Sequence, residues 1–201
     1  MTDYSYLQSL IDQVREIRKQ TAFQEIDLAE CAIFYMPTKK TSYVGFRQGC
    51  RDQLIRSQNG MTESDKIRST TKDYLRYIRN ANGELLRIDS FNKGRVDCVF
   101  QVCRTESVRY LLPFSENGGY YPTYAYATRY EAGRVAEEYM VNGNQIVYEA
   151  YSYTSDNSAD YFRINYVAGG NYPVRETEKG IFYLSPLSYE ETFSDTWLNH
   201  R

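Results

Sequence analysis

The sequence predicts an α+β fold, with an antiparallel meander of about six to eight strands in the C-terminal half. Around it the pattern places an N-terminal helix, a second helix near 62–80 and a short C-terminal helix. Three observations carry this reading. Apolar residues recur at helical spacing in the first twenty positions, turn signals punctuate everything after Glu84, and the 201-residue chain holds 21 tyrosines against nine phenylalanines and one tryptophan. Tyrosine suits pleated, half-buried surfaces, and it also makes good contact surfaces at low entropic cost.

Leu7, Leu10, Ile11, Val14 and Ile17 define the first helix, with Thr2 or Asp3 as its cap and Arg15, Arg18 and Lys19 near its C-terminal end, where the helix dipole favours cations. Residues 22–36 suit either a helix (Phe23, Ile26, Glu30, Ile33) or, over Cys31–Tyr35, a short buried strand that Pro37 ends. Residues 38–60 are polar and basic, with Gly45, Gly49 and Asn59–Gly60, and read as a long loop or a small irregular insertion. Ile67, Thr71, Tyr74, Leu75 and Ile78 form the stripe of the second helix, which Asn82–Gly83 stops. Strands follow over 84–90, 95–103, 107–113, 121–130, 134–141, 145–153, 160–168 and 180–184. At the end, Ser188 and Glu191 resemble a capping box, and Tyr189, Phe193 and Trp197 would share one face of a helix. The whole reads as a single domain, 1–83 mainly helical and 84–201 mainly sheet.

Two hairpins fix faces. A two-residue turn at Asn142–Gly143 puts Val135, Glu137, Tyr139 and Val141 with Ile146, Tyr148 and Ala150 on a core face. Arg134, Glu138, Met140, Gln145, Val147, Glu149, Tyr151 and Tyr153 take the other. At Glu131–Gly133 a three-residue loop would add Tyr124, Tyr126 and Tyr130 to that second face; a two-residue turn at Ala132–Gly133 would send them into the core. The first option gives one contiguous partner-binding surface of Tyr124, Tyr126, Tyr130, Arg134, Glu138, Glu149, Tyr151 and Tyr153.

Charge divides unevenly. Residues 39–95 carry net +7 and residues 96–201 net −6. Lys39, Lys40, Arg47, Arg51 and Arg56, interleaved with Tyr43 and Phe46, could hold nucleic acid, although an isoelectric point near 5.6 argues against a dedicated binder. The one histidine, His200, is penultimate and poorly placed to serve as a base. The four cysteines lack metal-ligand spacing and read as reduced thiols in a cytosol, and no phosphate-cradle motif occurs. No signal peptide or membrane-spanning run is visible, and no cofactor or metal is expected. The remaining chemical candidate is Glu137, a buried carboxylate that needs an arginine or a tyrosine hydroxyl as partner and could do acid–base work in a tyrosine-lined pocket. The leading expectation is a cytoplasmic, non-enzymatic inhibitor of a protein such as a basic toxin or nuclease, of the immunity-protein or phage anti-defence kind. The alternatives are a nucleic-acid-binding accessory protein and a small enzyme built on Glu137.

Overall fold

The computed structural model describes residues 4–38, 45–119, 121–169 and 173–196. Trp197, His200, Lys39, Lys40, Tyr43 and the Thr2/Asp3 cap lie outside them. The chain forms two compact units, residues 1–20 with 124–201, and residues 21–123.

The first unit is a helix on a six-strand antiparallel meander. Its elements are α1 (Tyr4–Gln20), β6 (Ala125–Glu131), β7 (Arg134–Asn142), β8 (Gln145–Ser155), β9 (Ser158–Val167), β10 (Val174–Leu184) and β11 (Leu187–Thr196). The second unit is a five-strand meander of β1 (Ala32–Pro37), β2 (Tyr74–Arg79), β3 (Leu85–Asn92), β4 (Arg95–Arg104) and β5 (Val108–Phe114), with α2 (Cys50–Gln58) between β1 and β2. The described residues thus give eleven strands, more than the six to eight expected.

α1 lies where its stripe predicts: Leu7, Leu10, Ile11 and Val14 are buried. Arg15 ties its later turns to the β7–β8 turn, donating to the Gly143 carbonyl and to Asn144 Oδ1. In the second unit, Asp52 of α2 accepts from the Gly45 amide, and the Tyr77 hydroxyl donates to the Gly45 carbonyl. Phe46 meets Phe100 at 4.5 Å between ring centroids. Gly45 sits at φ +99°, and a Cβ there would fall 2.2 Å from Met36 Cε, so this approach requires glycine. Phe23 and Gln24 pack along β4 and β5, against Phe114 and Gln101.

Three expectations fail. The helix near 62–80 is absent: 62–73 is irregular and 74–79 is β2. The apolar residues of Tyr74–Arg79 do fall at helical spacing, but as a strand each side carries two apolar residues and one arginine, and both sides find cover. Arg76 pairs across to Asp89, while Leu75 and Tyr77 are buried beside Gly45. Secondly, a helix, α2, stands inside the segment read as a loop, its Gly49 in the N-cap position. Thirdly, the C-terminal helix is strand β11. β11 carries a bulge at Thr192, which has no partner between the pairs Gly180–Glu191 and Lys179–Phe193. The bulge puts Tyr189 and Phe193, four apart, on opposite faces. The open choice over 22–36 resolves to a 3₁₀ turn at Leu28–Glu30 followed by strand β1.

Candidate functional site

The two hairpins decide what faces what. The β7–β8 turn is Gly143–Asn144, flanked by the pair Asn142–Gln145, one step later than expected. Partners therefore shift by two, to Glu137–Ala150 and Tyr139–Tyr148, and the face assignments survive because the shift is even. The β6–β7 turn is the two-residue form, with Ala132 and Gly133 both at positive φ and Glu131 opposite Arg134. The expected three-residue loop is not formed. A bulge follows at once: Tyr130 pairs with Val135 and Arg129 with Glu137, leaving Ala136 over. That extra residue inverts parity again, so Tyr126 stands opposite Met140 and Thr128 opposite Glu138, on the face expected for a three-residue loop.

That face is not an open surface. Tyr126 is 3% exposed, Glu138 0%, Glu149 1% and Tyr151 5%, so the expected patch is interior at its centre. Its tyrosines fill volume and satisfy carboxylates. Tyr151 donates to Glu149 (3.0 Å) and Tyr189 to Glu178 (2.7 Å), while Arg163 reaches Glu176 at 2.5 Å and Glu149 at 3.6 Å. Tyr151, Tyr161, Phe182 and Tyr189 form a ring cluster beside them. The outlying members are less buried. Tyr124 donates to Gln145, and Arg134 pairs with Asp156 while its guanidinium lies over the Tyr153 ring. Tyr130 is half-buried.

The opposite face carries Glu137, and here α1 packs. Four donors converge on its two oxygens: Arg129 Nε and Nη2 at 3.0 and 2.7 Å, Tyr6 Oη at 2.8 Å and Tyr148 Oη at 2.8 Å. Both kinds of partner that burial demands are present, and together they clip the helix to the sheet. Burial, then the hydrogen bond to Glu137, pushes the Tyr6 hydroxyl up to about 12. Burial and the Glu137 charge raise Tyr148 as well. Both protons are held in the folded state above the pH at which an unfolded tyrosine releases them, near 10. Stability is therefore full below about pH 10 and falls as pH rises from there through about 12. Urea midpoints measured across that window should decline less steeply for Tyr6→Phe than for the parent chain; an identical slope would count against this clip.

Beyond the N-terminal end of α1 the same sheet face opens into a cleft of about 530 Å³. Its walls include Glu137 with Arg129, then Asp160, Phe162, Lys179 and Ile181. Register extends the face outward to Tyr183 on β10 and to Glu190, Phe193 and Asp195 on β11. Tyr183 is 42% exposed and Phe193 47%. A cavity beside Glu137 was the condition for acid–base work there, and one exists. Yet four donors already point at the carboxylate, three from the sheet and one from α1, so both oxygens are satisfied. Of this cleft the sequence shows Glu137 alone as a candidate; Phe193 and Tyr183 beside it are not legible, because 188–197 has the pattern of a helix and the strand signal of β10 begins only at Gly180.

Among the described residues, the basic segment does not form an open row. Arg47 is buried, Arg51 is half-buried, and Arg56 pairs with Asp52 and Glu63 at 3.5 and 3.8 Å. Among the described residues, no cluster of histidine, cysteine or carboxylate side chains is arranged to hold a metal ion, and no helix is long and apolar enough to cross a membrane. No family model, curated protein or solved structure matches this chain.

Proposed function

We propose that the chain is a non-enzymatic, cytoplasmic binding protein that neutralises a basic macromolecular partner, a toxin or nuclease, by occlusion. The observation that supports this best is the uncovered part of the first unit's sheet. α1 seals one end of the helix-bearing face, and the rest leaves Phe193, Tyr183, Ile181 and Phe162 partly or largely open around a cleft. Aromatic side chains at the middle of an open patch are what an interface uses as anchors. The sequence of this unit holds nine basic and fourteen acidic residues, and Glu131, Asp160, Glu190 and Asp195 lie in or beside the patch. Such a field draws in a basic partner and rejects acidic ones. The docking surface is thus moved from the buried Tyr126–Glu138–Glu149–Tyr151 face to the face opposite.

The test is a capture experiment in the native host with the full chain and with the Ile181→Asp/Phe193→Asp double variant. The parent should retain a stoichiometric basic protein, and the variant should lose it by roughly tenfold or more, the effect of about 1.4 kcal/mol at a hydrophobic anchor. The purified partner's own activity should fall to background at one equivalent of the chain. A partner held equally well by the variant, or one whose activity survives a saturating excess, would sink this reading.

A further inference from the structure

We infer that the outer edge of β11 is a docking site for an extended, basic segment of the partner, which adds to the sheet as a further strand. The inference rests on the binding role proposed above and specifies how the partner is held. β11 is the last strand in the order, so among the described residues its far side carries no ladder. It is ten residues long, with alternate backbone N–H and C=O groups facing outward. Native edges of that length are commonly protected by lysine or proline. β11 (LSYEETFSDT) has neither, and all three of its charges, Glu190, Glu191 and Asp195, are negative.

Charge selects the occupant. A second copy pairing edge to edge would bring together two strands that each carry three negative charges and no positive one, which is unfavourable. A basic strand meets the opposite situation. The register places Ser188, Glu190, Phe193 and Asp195 on the cleft side, opposite Tyr183, Ile181, Lys179 and Thr177. An exposed aromatic is thus flanked by two carboxylates on one face. The complementary strand has an apolar residue next to a basic one at alternate positions, its apolar side chain against Phe193 and its cation beside Glu190. Thr192, which lines the cleft, is the bulged residue, so the cleft reaches the edge strand where its ladder is interrupted, and a long side chain from the added strand would lie there.

The probe is a synthetic peptide alternating lysine with valine, added to the isotope-labelled full chain and followed by amide shifts and hydrogen exchange. Expected are shifts centred on 187–196, slowed exchange of outward β11 amides, and binding weakened roughly tenfold or more when alternate peptide amides are N-methylated. An acidic counterpart should not bind, and Glu190→Lys/Glu191→Lys should reverse the preference. Absence of binding, shifts centred elsewhere, equal affinity for the N-methylated or acidic peptide, or self-association of the chain through β11 would each overturn strand addition. A native partner lost on Phe193→Asp, with the peptide nonetheless failing to protect β11, would leave the binding role standing and remove only the strand.

Discussion

Replacing Asp89 with alanine should lower the stability of the chain by about 3–5 kcal/mol, because it strips the common partner from two partly buried guanidinium groups. Asp89 is fully buried on β3. Arg76 of β2 donates through Nε at 2.8 Å and Nη2 at 2.5 Å, and Arg87 through Nε at 2.6 Å and Nη2 at 3.1 Å. The arginine side chains retain 22% and 15% of their exposure, so neither can recover full hydration without moving. Arg76 also lies 5.1 Å from the centre of the Phe91 ring, which itself stacks on Tyr74, and that packing fixes its direction. Asp89→Asn keeps the shape but turns one acceptor into a donor aimed at donors. It should cost nearly as much as alanine, whereas Arg76→Met leaves the Arg87 pair intact and should cost clearly less. Urea midpoints at constant m-value provide the comparison. A mild Asp89→Asn would mean that shape, not charge, holds this corner.

The strands of the C-terminal half were legible because their hairpins announce themselves. Asn92 to Gly94, Glu131 to Gly133 and Asn142–Gly143 all mark real turns, and Lys93, Ala132 and the glycines beside them take the positive φ that tight hairpins need. The bulges were not legible. Ala136 and Thr192 are each one residue too many for their ladder, and neither is a glycine or otherwise marked as a bulge. At Ala136 the bulge cancels the parity change of the two-residue turn, so Tyr126 reaches the expected face by a different route. β2 failed for a different reason. YLRYIR has the spacing of a helical stripe and no clean alternation, and only its cross-strand partners, Arg79 with Ala32 and Arg76 with Asp89, make it a strand.

Tyrosine content was read as a sign of stickiness, and the structure gives it another use. Tyr6 and Tyr148 donate to Glu137, Tyr151 to Glu149, Tyr189 to Glu178, Tyr183 to Glu190 and Tyr121 to Asp97. Where the sheet buries a carboxylate, as at Glu137, Glu149 and Glu178, it needs donors which also fill space, and tyrosine supplies both at once. Part of the tyrosine content therefore serves buried acids, and a buried glutamate at alternating spacing is the signal for it. Glu137 was singled out on that logic. Phe193 and Tyr183 could not be, since their exposure depends on where α1 stops along the sheet.

Glu137→Ala separates a structural carboxylate from a catalytic one, because the two roles predict opposite signs. A catalytic group is held against stability, and its removal commonly leaves a fold as stable as before or more so. Glu137 instead accepts from Arg129, Tyr6 and Tyr148, and its own side chain is only 9% exposed. Removing it should destabilise the chain by about 2–3 kcal/mol, less than a fully buried pair because Arg129 keeps 32% exposure and can turn toward water. Tyr6→Phe, which removes one of the donors, should cost about 1 kcal/mol. The loss should also be local in character. Leu7, Leu10, Ile11 and Val14 still hold the middle of α1, whereas Tyr4 and Tyr6 at its start lose the polar anchor beside Tyr148 and Tyr166. Amide exchange in the first turns of α1 should therefore quicken more than exchange in β7 and β8. A Glu137→Ala chain as stable as its parent, with unchanged exchange in α1, would restore the acid–base reading of the cleft, and the cleft would then have to be tested for a substrate instead of a partner.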